Sequence, residues 1–300
     1  LQDEGVQFWV DAGEVSDEEA KRLLDGVFHF HPLAIEDCLT PSDRSKVDEY
    51  EDCVFMVIHA VNYSADTRAF KTTELNMFIG HNFLVTFHRE PLRCINATID
   101  RVAKNAPSVA RAPDRLTYTI LDFVLESYAP ALEEMSREIA QLEADVLGAP
   151  SRNILSVVMH LKSEVQRLHQ IVWPQQEVIM RLAHGEFKIV RQHMLPYYRD
   201  LLDQLVRINT QAENYRNSLT DVLQIHVNLQ QMEVNRVIKV LTVLATLSVP
   251  ILAVTSFYGM NINHWPTFQY SITEAYGWIF CLTGVMTLLV YGFLRRKGWW

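Results

Sequence analysis

Two long apolar runs near the C-terminus constrain this chain most. Residues 240–258 read VLTVLATLSVPILAVTSFY and residues 275–294 read AYGWIFCLTGVMTLLVYGFL, and neither run contains a charged residue. A helix rises about 1.5 Å per residue, so each run is long enough to cross a hydrocarbon core of about 30 Å. Core helices of soluble proteins are usually shorter and carry a polar stripe. The runs therefore predict two transmembrane helices.

The residues that flank these runs predict their orientation. Arg295, Arg296 and Lys297 follow the second run at once, and basic residues favour the cytoplasmic side of a membrane. Two spans then place residues 1–239 and the basic tail, 295–300, in the cytoplasm, and the loop 259–274 outside. Aromatic residues typical of membrane interfaces stand near the ends of both runs: Tyr258, Trp265, Tyr270, Tyr276, Trp278, Trp299 and Trp300. We expect a protein of the cell (inner) membrane, in contact with lipid, with both termini cytoplasmic.

The charge of the chain excludes several functions. The sequence has 27 Lys and Arg against 36 Asp and Glu, a net charge of −9, and residues 240–300 carry +2 of it, so residues 1–239 carry −11. This acidity argues against nucleic acid as a partner, because phosphate binding needs clustered Lys and Arg. No HExxH, GxxxxGK[ST] or CxxC motif is present in the sequence. We therefore expect neither an enzyme nor an organic cofactor.

Upstream of the apolar runs, the hydrophobic periodicity predicts two further regions. Residues 1–91 read as an α/β domain, with strands near 5–10, 45–49, 52–63, 72–80 and 82–88 and helices near 17–28 and 32–39. Residues 92–239 read as helical, with amphipathic segments at 121–147 and 153–183. A third helix begins near Pro196 and meets no Gly or Pro until Pro250, so it leads directly into the first span.

A regular stripe runs along this third helix. The stripe consists of seven residues: Asn235, Ile238, Leu241, Ala245, Val249, Leu252 and Ser256. Their mean spacing is 3.5 residues, the repeat of a supercoiled bundle, and the first and last of them are polar. One helix cannot enclose a pore, so a pore wall would require several copies of the chain around one axis. The spacing is equally typical of a coiled-coil seam in a dimer, and the stripe alone leaves both interpretations open.

The first span ends at Tyr258-Gly259-Met260-Asn261, and here the sequence resembles the CorA family of divalent-cation channels. Further similar stretches occur in the same order as in the family: His31-Pro32-Leu33-Ala34-Ile35-Glu36-Asp37-Cys38, Lys46-Val47, Trp173-Pro174 and Pro196-Tyr197-Tyr198-Arg199-Asp200. The resemblance implies a funnel-shaped homopentamer. Each subunit would supply one long pore-lining helix and a second span packed outside it.

The Gly-Met-Asn motif suits a selectivity filter on chemical grounds. Mg²⁺ releases its water reluctantly, so an entry site does better to hydrogen-bond the hydration shell than to replace it. A ring of Asn261 carbonyl groups can accept hydrogen bonds from those waters. Gly259 leaves room for the sharp exit from the helix, and the thioether of Met260 is more suited to packing than to a hard cation.

Below this filter, the stripe contains candidates for a gate. Ile238, Leu241, Val249 and Leu252 would form apolar rings, and a narrow apolar constriction blocks ions by dewetting. Asn235 would form a polar ring at the cytoplasmic end.

The resemblance also implies control by intracellular Mg²⁺. Asp200 matches the family position that binds a regulatory cation between subunits, and Asp203 lies one turn further along the same helix. A partner carboxylate is harder to identify, and Asp66 is the nearest acidic residue to the family position. Bound Mg²⁺ would neutralise facing carboxylates and hold a closed state.

These features together predict passive, potential-driven uptake of Mg²⁺, and also of Co²⁺ or Ni²⁺. Two alternatives stay open. A zinc transporter of the same superfamily shares Gly-Met-Asn, and the loop here reads Ile262-Asn263-His264-Trp265-Pro266-Thr267 rather than Met-Pro-Glu. A membrane-anchored signalling or scaffold protein would be a dimer without conductance.

Overall fold

A computed structural model describes residues 6–64, 69–109, 111–148, 153–260 and 272–299. The chain divides into two compact units, Leu1–Leu223 and Gln224–Trp300. The first unit contains a mixed α/β domain and the helices that follow it. The second contains two long apolar helices.

Five strands of the first unit form one mixed sheet in the order β1-β5-β4-β3-β2. The strands are β1 (Phe8–Gly13), β2 (Lys46–Glu49), β3 (Val54–Ser64), β4 (Ala69–Ile79) and β5 (Phe83–His88). Only β1 and β5 pair in parallel among these strands, and the other neighbours are antiparallel. The predicted α/β domain is confirmed. Strand β1 lies three residues later than expected, because its register is set by long-range pairing with β5, from Phe8↔Phe83 to Gly13↔His88.

Helices cover both faces of this sheet, which explains the continuous apolar run in β3. Helices α1 (Asp17–Gly26) and α2 (Pro32–Leu39) pack with Phe55 and Phe78, and the rings of Phe30 and Phe78 stack with their centroids 4.3 Å apart. On the other face, the Tyr128 hydroxyl donates to the His59 carbonyl at 3.1 Å. A strand buried on both faces is apolar at successive positions rather than at alternate ones.

Four helices follow the sheet: α3 (Arg93–Val109), α4 (Pro113–Glu126), α5 (Tyr128–Gly148) and α6 (Ile154–Ala183). The helical pattern of residues 121–147 predicted one continuous helix, but the structure interrupts it at Ser127. Pro130 has no N–H to donate to the carbonyl of Glu126, so the hydrogen-bond ladder is broken at this point. The amphipathic pattern of the sequence does not reveal such a short interruption of the helix.

Helix α7 (Leu195–Tyr258) has 64 residues and contributes to both units. At the usual rise it is about 96 Å long. Two tyrosines fix its first part within the first unit: the Tyr198 hydroxyl donates to the Asp114 carbonyl at 2.7 Å, and the Tyr215 hydroxyl to the Leu132 carbonyl at 2.9 Å. The buried residues of this part recur every three or four positions: Tyr198, Leu201, Leu205, Ile208, Ala212, Tyr215, Leu219 and Val222. The predicted long helix is confirmed, and it continues through Pro250.

Helix α8 (Ile272–Arg296) is the second element of the second unit. Two helices of the described chain, α7 and α8, are long and apolar enough to cross a membrane. In their most apolar windows only 17% and 6% of the residues are buried inside the protein, whereas a core helix would be mostly buried. The prediction of two apolar C-terminal helices is confirmed.

A half-buried ion pair between His88 and Asp11 joins the two parallel strands at the edge of the sheet. His88 Nδ1 lies 2.7 Å from the Glu90 carbonyl oxygen, and Nε2 lies 3.3 Å from Asp11 Oδ1. Both partners can only accept, so the geometry requires a proton on each ring nitrogen. Gly13 allows this approach, since a Cβ at that position would lie 2.6 Å from His88 Cε1. Burial alone would lower the pKa of His88, but the hydrogen bond and charge of Asp11 outweigh it and raise the pKa.

We expect this ion pair to make the stability of the first unit pH-dependent. A raised histidine pKa means that the pair stabilises the fold fully below the unfolded-state pKa of about 6.5, and that this contribution is lost as the pH rises through the folded-state pKa. The variant His88→Gln should therefore lose most stability relative to wild type at pH 5.5 to 6 and least at pH 9. Chemical denaturation of the full chain at the two pH values measures this difference. A loss that grows with pH would contradict the assignment.

Candidate ion pathway

All seven stripe residues lie on α7 in the second unit and are exposed. The largest of them are Ile238, Leu241, Val249 and Leu252, and their exposed fractions range from 53% to 65%. Asn235 and Ser256 place polar groups near the two ends of the same face, and Ala245 places a small residue near its middle. The sequence pattern therefore corresponds to one continuous, uncovered face of the helix.

The covered face of α7 points away from this stripe. Val243 and Val254 are each 5% exposed, and each lies two positions, or about 200° around the helix, from two stripe residues. On α8 the covered and half-covered positions also recur at helical spacing: Ile279, Thr283, Thr287, Val290 and Leu294. Each of the two helices therefore has one covered face, and on α7 that face lies opposite the stripe.

The hydroxyl groups of α7 are hydrogen-bonded within the helix itself. Thr242, Thr246 and Thr255 donate to the carbonyl four residues earlier, at 2.8, 2.6 and 2.8 Å. A polar group in a bilayer needs an internal partner, so these residues are compatible with a membrane-spanning helix. Asn235 differs from them, because its carboxamide projects from the exposed face and its Oδ1 accepts from Gln231 at 3.3 Å.

The mouth of the pathway is described as far as Met260. Helix α7 ends at Tyr258, and the Gly259 N–H donates to the Thr255 carbonyl at 2.9 Å. A Cβ on Gly259 would lie 2.9 Å from that same backbone oxygen, so this approach favours glycine. Met260 is exposed. Asn261, the principal filter candidate, lies outside the described residues, as does the loop 262–267 with His264.

Asp200 and Asp203 are exposed on the first part of α7, within the first unit. Asp200 Oδ2 accepts a hydrogen bond from Gln204 Nε2 at 2.9 Å. Asp66, the weak partner candidate, lies outside the described residues. No group of three or more His, Cys, Asp or Glu side chains in the described ranges is placed to hold a metal ion.

Sequence reasoning missed Asp122, a half-buried residue of α4 that lies close to Asp200. Burial raises the pKa of Asp122, and the negative charge of Asp200 raises it further, while Arg101 and the hydrogen bond from Gln204 oppose this. Tyr118, one turn earlier, has a raised pKa through burial and through the same two carboxylates. The only sequence signal was an acidic residue within an otherwise apolar helical segment, and the contact joins residues 78 positions apart.

Comparison with known proteins places this architecture among metal-ion transporters. The sequence matches the family described as CorA-like Mg²⁺ transporter protein over residues 4–296. The Bacillus subtilis protein YfjQ is 28% identical over 295 residues, covering 97% of this chain and 89% of YfjQ. The cobalt/magnesium transport protein CorA of Thermotoga maritima is 24% identical, covering 100% of this chain and 85% of that protein.

The fold agrees with a solved structure of a protein from this family. The complete structure of the CorA magnesium transporter from Methanocaldococcus jannaschii superimposes with a TM-score of 0.81 at 23% identity, covering 97% of this chain and 91% of that one. The likeness extends over the α/β domain, the long helix and the two apolar helices.

Proposed function

Because the chain belongs to the family of CorA-like Mg²⁺ transporter proteins, we propose that it forms a homopentameric, funnel-shaped channel for the passive uptake of hydrated Mg²⁺. Co²⁺ and Ni²⁺ are the further expected substrates. The function is transport rather than catalysis. The inward-negative membrane potential drives it, since 100 mV favours entry of a divalent cation by about 4.6 kcal/mol.

The observation that carries this proposal is the uncovered stripe of α7. The face is apolar through the span and has polar groups where a path would open to water, the carboxamide of Asn235 on the cytoplasmic side and the hydroxyl of Ser256 near the outer end. Five copies around one axis would turn these faces toward a shared, hydrated path. Helix α8 would then lie outside the ring, on the side of α7 that carries the covered residues Val243 and Val254.

The topology of each subunit follows from the same arrangement. Residues 240–258 are the first, pore-lining span, and residues 275–294 are the second. The loop 259–274 lies outside the cell, while residues 1–91, 92–239 and 295–300 are cytoplasmic. The basic tail supports this orientation.

The filter is the ring of Gly259, Met260 and Asn261. Five Asn261 carbonyl groups accept hydrogen bonds from the hydration shell of the cation, so the ion enters without losing its water. The apolar rings of Ile238, Leu241, Val249 and Leu252 form the gate, which excludes water when it is narrow.

Intracellular Mg²⁺ closes this gate through the carboxylates near the start of α7. Asp200 faces Asp122 within one chain, and Asp203 extends the negative surface along α7. Neighbouring subunits complete the coordination, because cations of this type take six or more oxygen ligands and one chain supplies too few. Bound Mg²⁺ relieves the repulsion between carboxylates and stabilises the closed pentamer.

Neutralising either carboxylate should weaken this inhibition. We expect each of the variants Asp200→Asn and Asp122→Asn to need at least about tenfold more Mg²⁺ inside the vesicles for half-inhibition of uptake, since each removes one charged ligand. Uptake by proteoliposomes loaded with graded Mg²⁺ measures the shift. The matched control is Asp221→Asn, an exposed aspartate further along α7. Equal shifts in all three variants, or none in the first two, would contradict the assignment.

Zinc is the second candidate substrate, because the loop after Asn261 lacks Met-Pro-Glu and contains His264. Imidazole suits Zn²⁺, whereas Mg²⁺ prefers oxygen ligands. Competition of Mg²⁺, Co²⁺, Ni²⁺ and Zn²⁺ in one flux assay separates the two candidates. The proposal predicts that Mg²⁺ competes best at physiological concentrations, and selective block by Zn²⁺ alone would favour the zinc transporter.

The assembly is tested separately by electron microscopy of the purified full chain. The proposal predicts particles with fivefold symmetry. Twofold particles would favour the alternative of a membrane-anchored scaffold, in which the stripe is a dimer seam.

A further inference from the structure

A basic pocket lies where the tail of α8 meets α7, wholly within the second unit. We call it the tail pocket, and its volume is about 340 Å³. Lys239 and Thr242 of α7 line one side, and Lys297 and Trp299 line the other. Lys239 Nζ donates to the Gly298 carbonyl at 3.3 Å, so the two sides are directly connected.

The pocket is shaped by the turn that ends α8. Gly298 has φ of +73°, its N–H donates to the Arg295 carbonyl at 3.1 Å, and the Trp299 N–H donates to the Leu294 carbonyl at 3.1 Å. These two bonds form a Schellman motif, which requires a left-handed residue and so favours glycine. The turn reverses the chain and places Trp299 beside Lys239. The Schellman motif at the end of α8 therefore fixes the position of the Trp299 indole.

The charge around the tail pocket is strongly one-sided. Five cations lie close to it in the sequence of the two helices: Arg236, Lys239, Arg295, Arg296 and Lys297. The acidic residues from residue 230 to residue 300 are Glu233, about one turn before Arg236, and Glu274, near the opposite end of α8. Such a concentration of positive charge fits an anion.

Apolar side chains next to these cations identify the kind of anion. Phe293 is 62% exposed, and Lys297 Nζ lies 5.9 Å from the centroid of its ring. Lysine over an apolar surface with an adjacent tryptophan is the arrangement of a membrane interface, where the charged head meets phosphate and the ring meets acyl chains. A soluble anion has no apolar group that could contact the exposed apolar side chains.

We propose that the tail pocket binds the phosphate headgroup of an anionic phospholipid from the cytoplasmic leaflet. Lys239 and Lys297 contact the phosphate, and Trp299 packs against the glycerol and upper acyl chain. Lys239 retains donors for this contact, because an ammonium group has three and the Gly298 carbonyl takes one. The proposal concerns lipid recognition and does not depend on which ion is transported.

The position of the pocket connects lipid binding with the proposed gate. Asn235 and Ile238, the first two stripe residues, also line the tail pocket. A bound headgroup would therefore hold the α8 tail against the part of α7 that carries the lowest apolar ring. Loss of the lipid would free this end of the helix pair.

Native mass spectrometry of the full chain in detergent tests the proposal. Binding of phosphatidylglycerol is compared with that of phosphatidylcholine for wild type, Lys239→Gln, Lys297→Gln and the double variant. A cation near an anionic membrane surface contributes about 1 kcal/mol, so each single variant should bind phosphatidylglycerol about fivefold more weakly and the double variant about 25-fold. Phosphatidylcholine binding should be weaker and unchanged by the substitutions.

The matched control is Arg296→Gln, which removes a charge of the same tail that does not line the pocket. Its phosphatidylglycerol affinity should stay near that of wild type. Equal losses in all single variants would show diffuse attraction and overturn the pocket. Inorganic phosphate is tested as a competitor in the same measurement. If phosphate displaced the lipid and bound at least as tightly as the lipid does, the site would be assigned to a soluble anion and the lipid proposal would be overturned.

Discussion

Replacing Asn261 with alanine should abolish most Mg²⁺ uptake. In the proposed pentamer the substitution would remove five carbonyl acceptors from the filter at once. One hydrogen bond contributes about 1 kcal/mol, so loss of two or three would lower the rate about a hundredfold. Uptake by proteoliposomes under a fixed potential measures the effect. The loss should appear in the flux and leave the folded state of the protein intact.

Asn263→Ala is the matched control for this prediction, since it makes the same change two positions further along the loop. It should transport Mg²⁺ at the wild-type rate. A second pair tests the backbone of the filter: Gly259→Ala should impair uptake, because its Cβ would meet the Thr255 carbonyl at 2.9 Å, whereas Gly284→Ala has no atom within 4 Å of the added Cβ. If the Asn261→Ala variant transported Mg²⁺ at the wild-type rate, the filter could not be located at Asn261.

Placing a polar residue in the apolar gate should make the channel leak. In the proposed pentamer, Leu241→Asn would replace the five isobutyl groups of one ring by five carboxamides, so water could occupy the constriction and the dewetting barrier would fall. We expect uptake in the presence of inhibitory inner Mg²⁺ to rise by at least about tenfold. The same flux assay, with Mg²⁺ inside the vesicles, measures the residual rate.

Val240→Asn is the control for the gate. Val240 is 64% exposed against 65% for Leu241, but it lies about 100° around the helix and off the stripe. A leak in Leu241→Asn alone would locate the ring on the stripe. The same leak in both variants would show that the polar substitution disturbs the helix in general.

Local patterns predicted the elements that depend on nearby residues. The apolar runs, the absence of Gly and Pro from residues 197–249 and the β-rich runs of the sheet region led to the two spans, the long helix and the α/β domain. The helix break at Ser127 escaped this reasoning, because a proline three residues later changes one hydrogen bond without changing the hydrophobic period.

Pairs of residues far apart in the sequence could not be predicted in this way. His88 and Asp11 meet only because β1 pairs in parallel with β5, and Asp122 approaches Asp200 only because α7 packs along α4. Periodicity assigns a residue to a face of its own element and contains no information about the partner. By contrast, the Schellman motif at Gly298 depends on residues close together in the sequence, since its glycine and the following Trp299 are adjacent.

We expect the stripe of α7 to line a passive path for hydrated Mg²⁺. Mg²⁺ entry into proteoliposomes that contain only this protein, under a potential set with potassium and valinomycin, tests this directly. The entry should increase with the inward-negative potential, without ATP and without a proton gradient. Absence of Mg²⁺ entry under that potential, or entry that requires a proton gradient, would contradict this expectation.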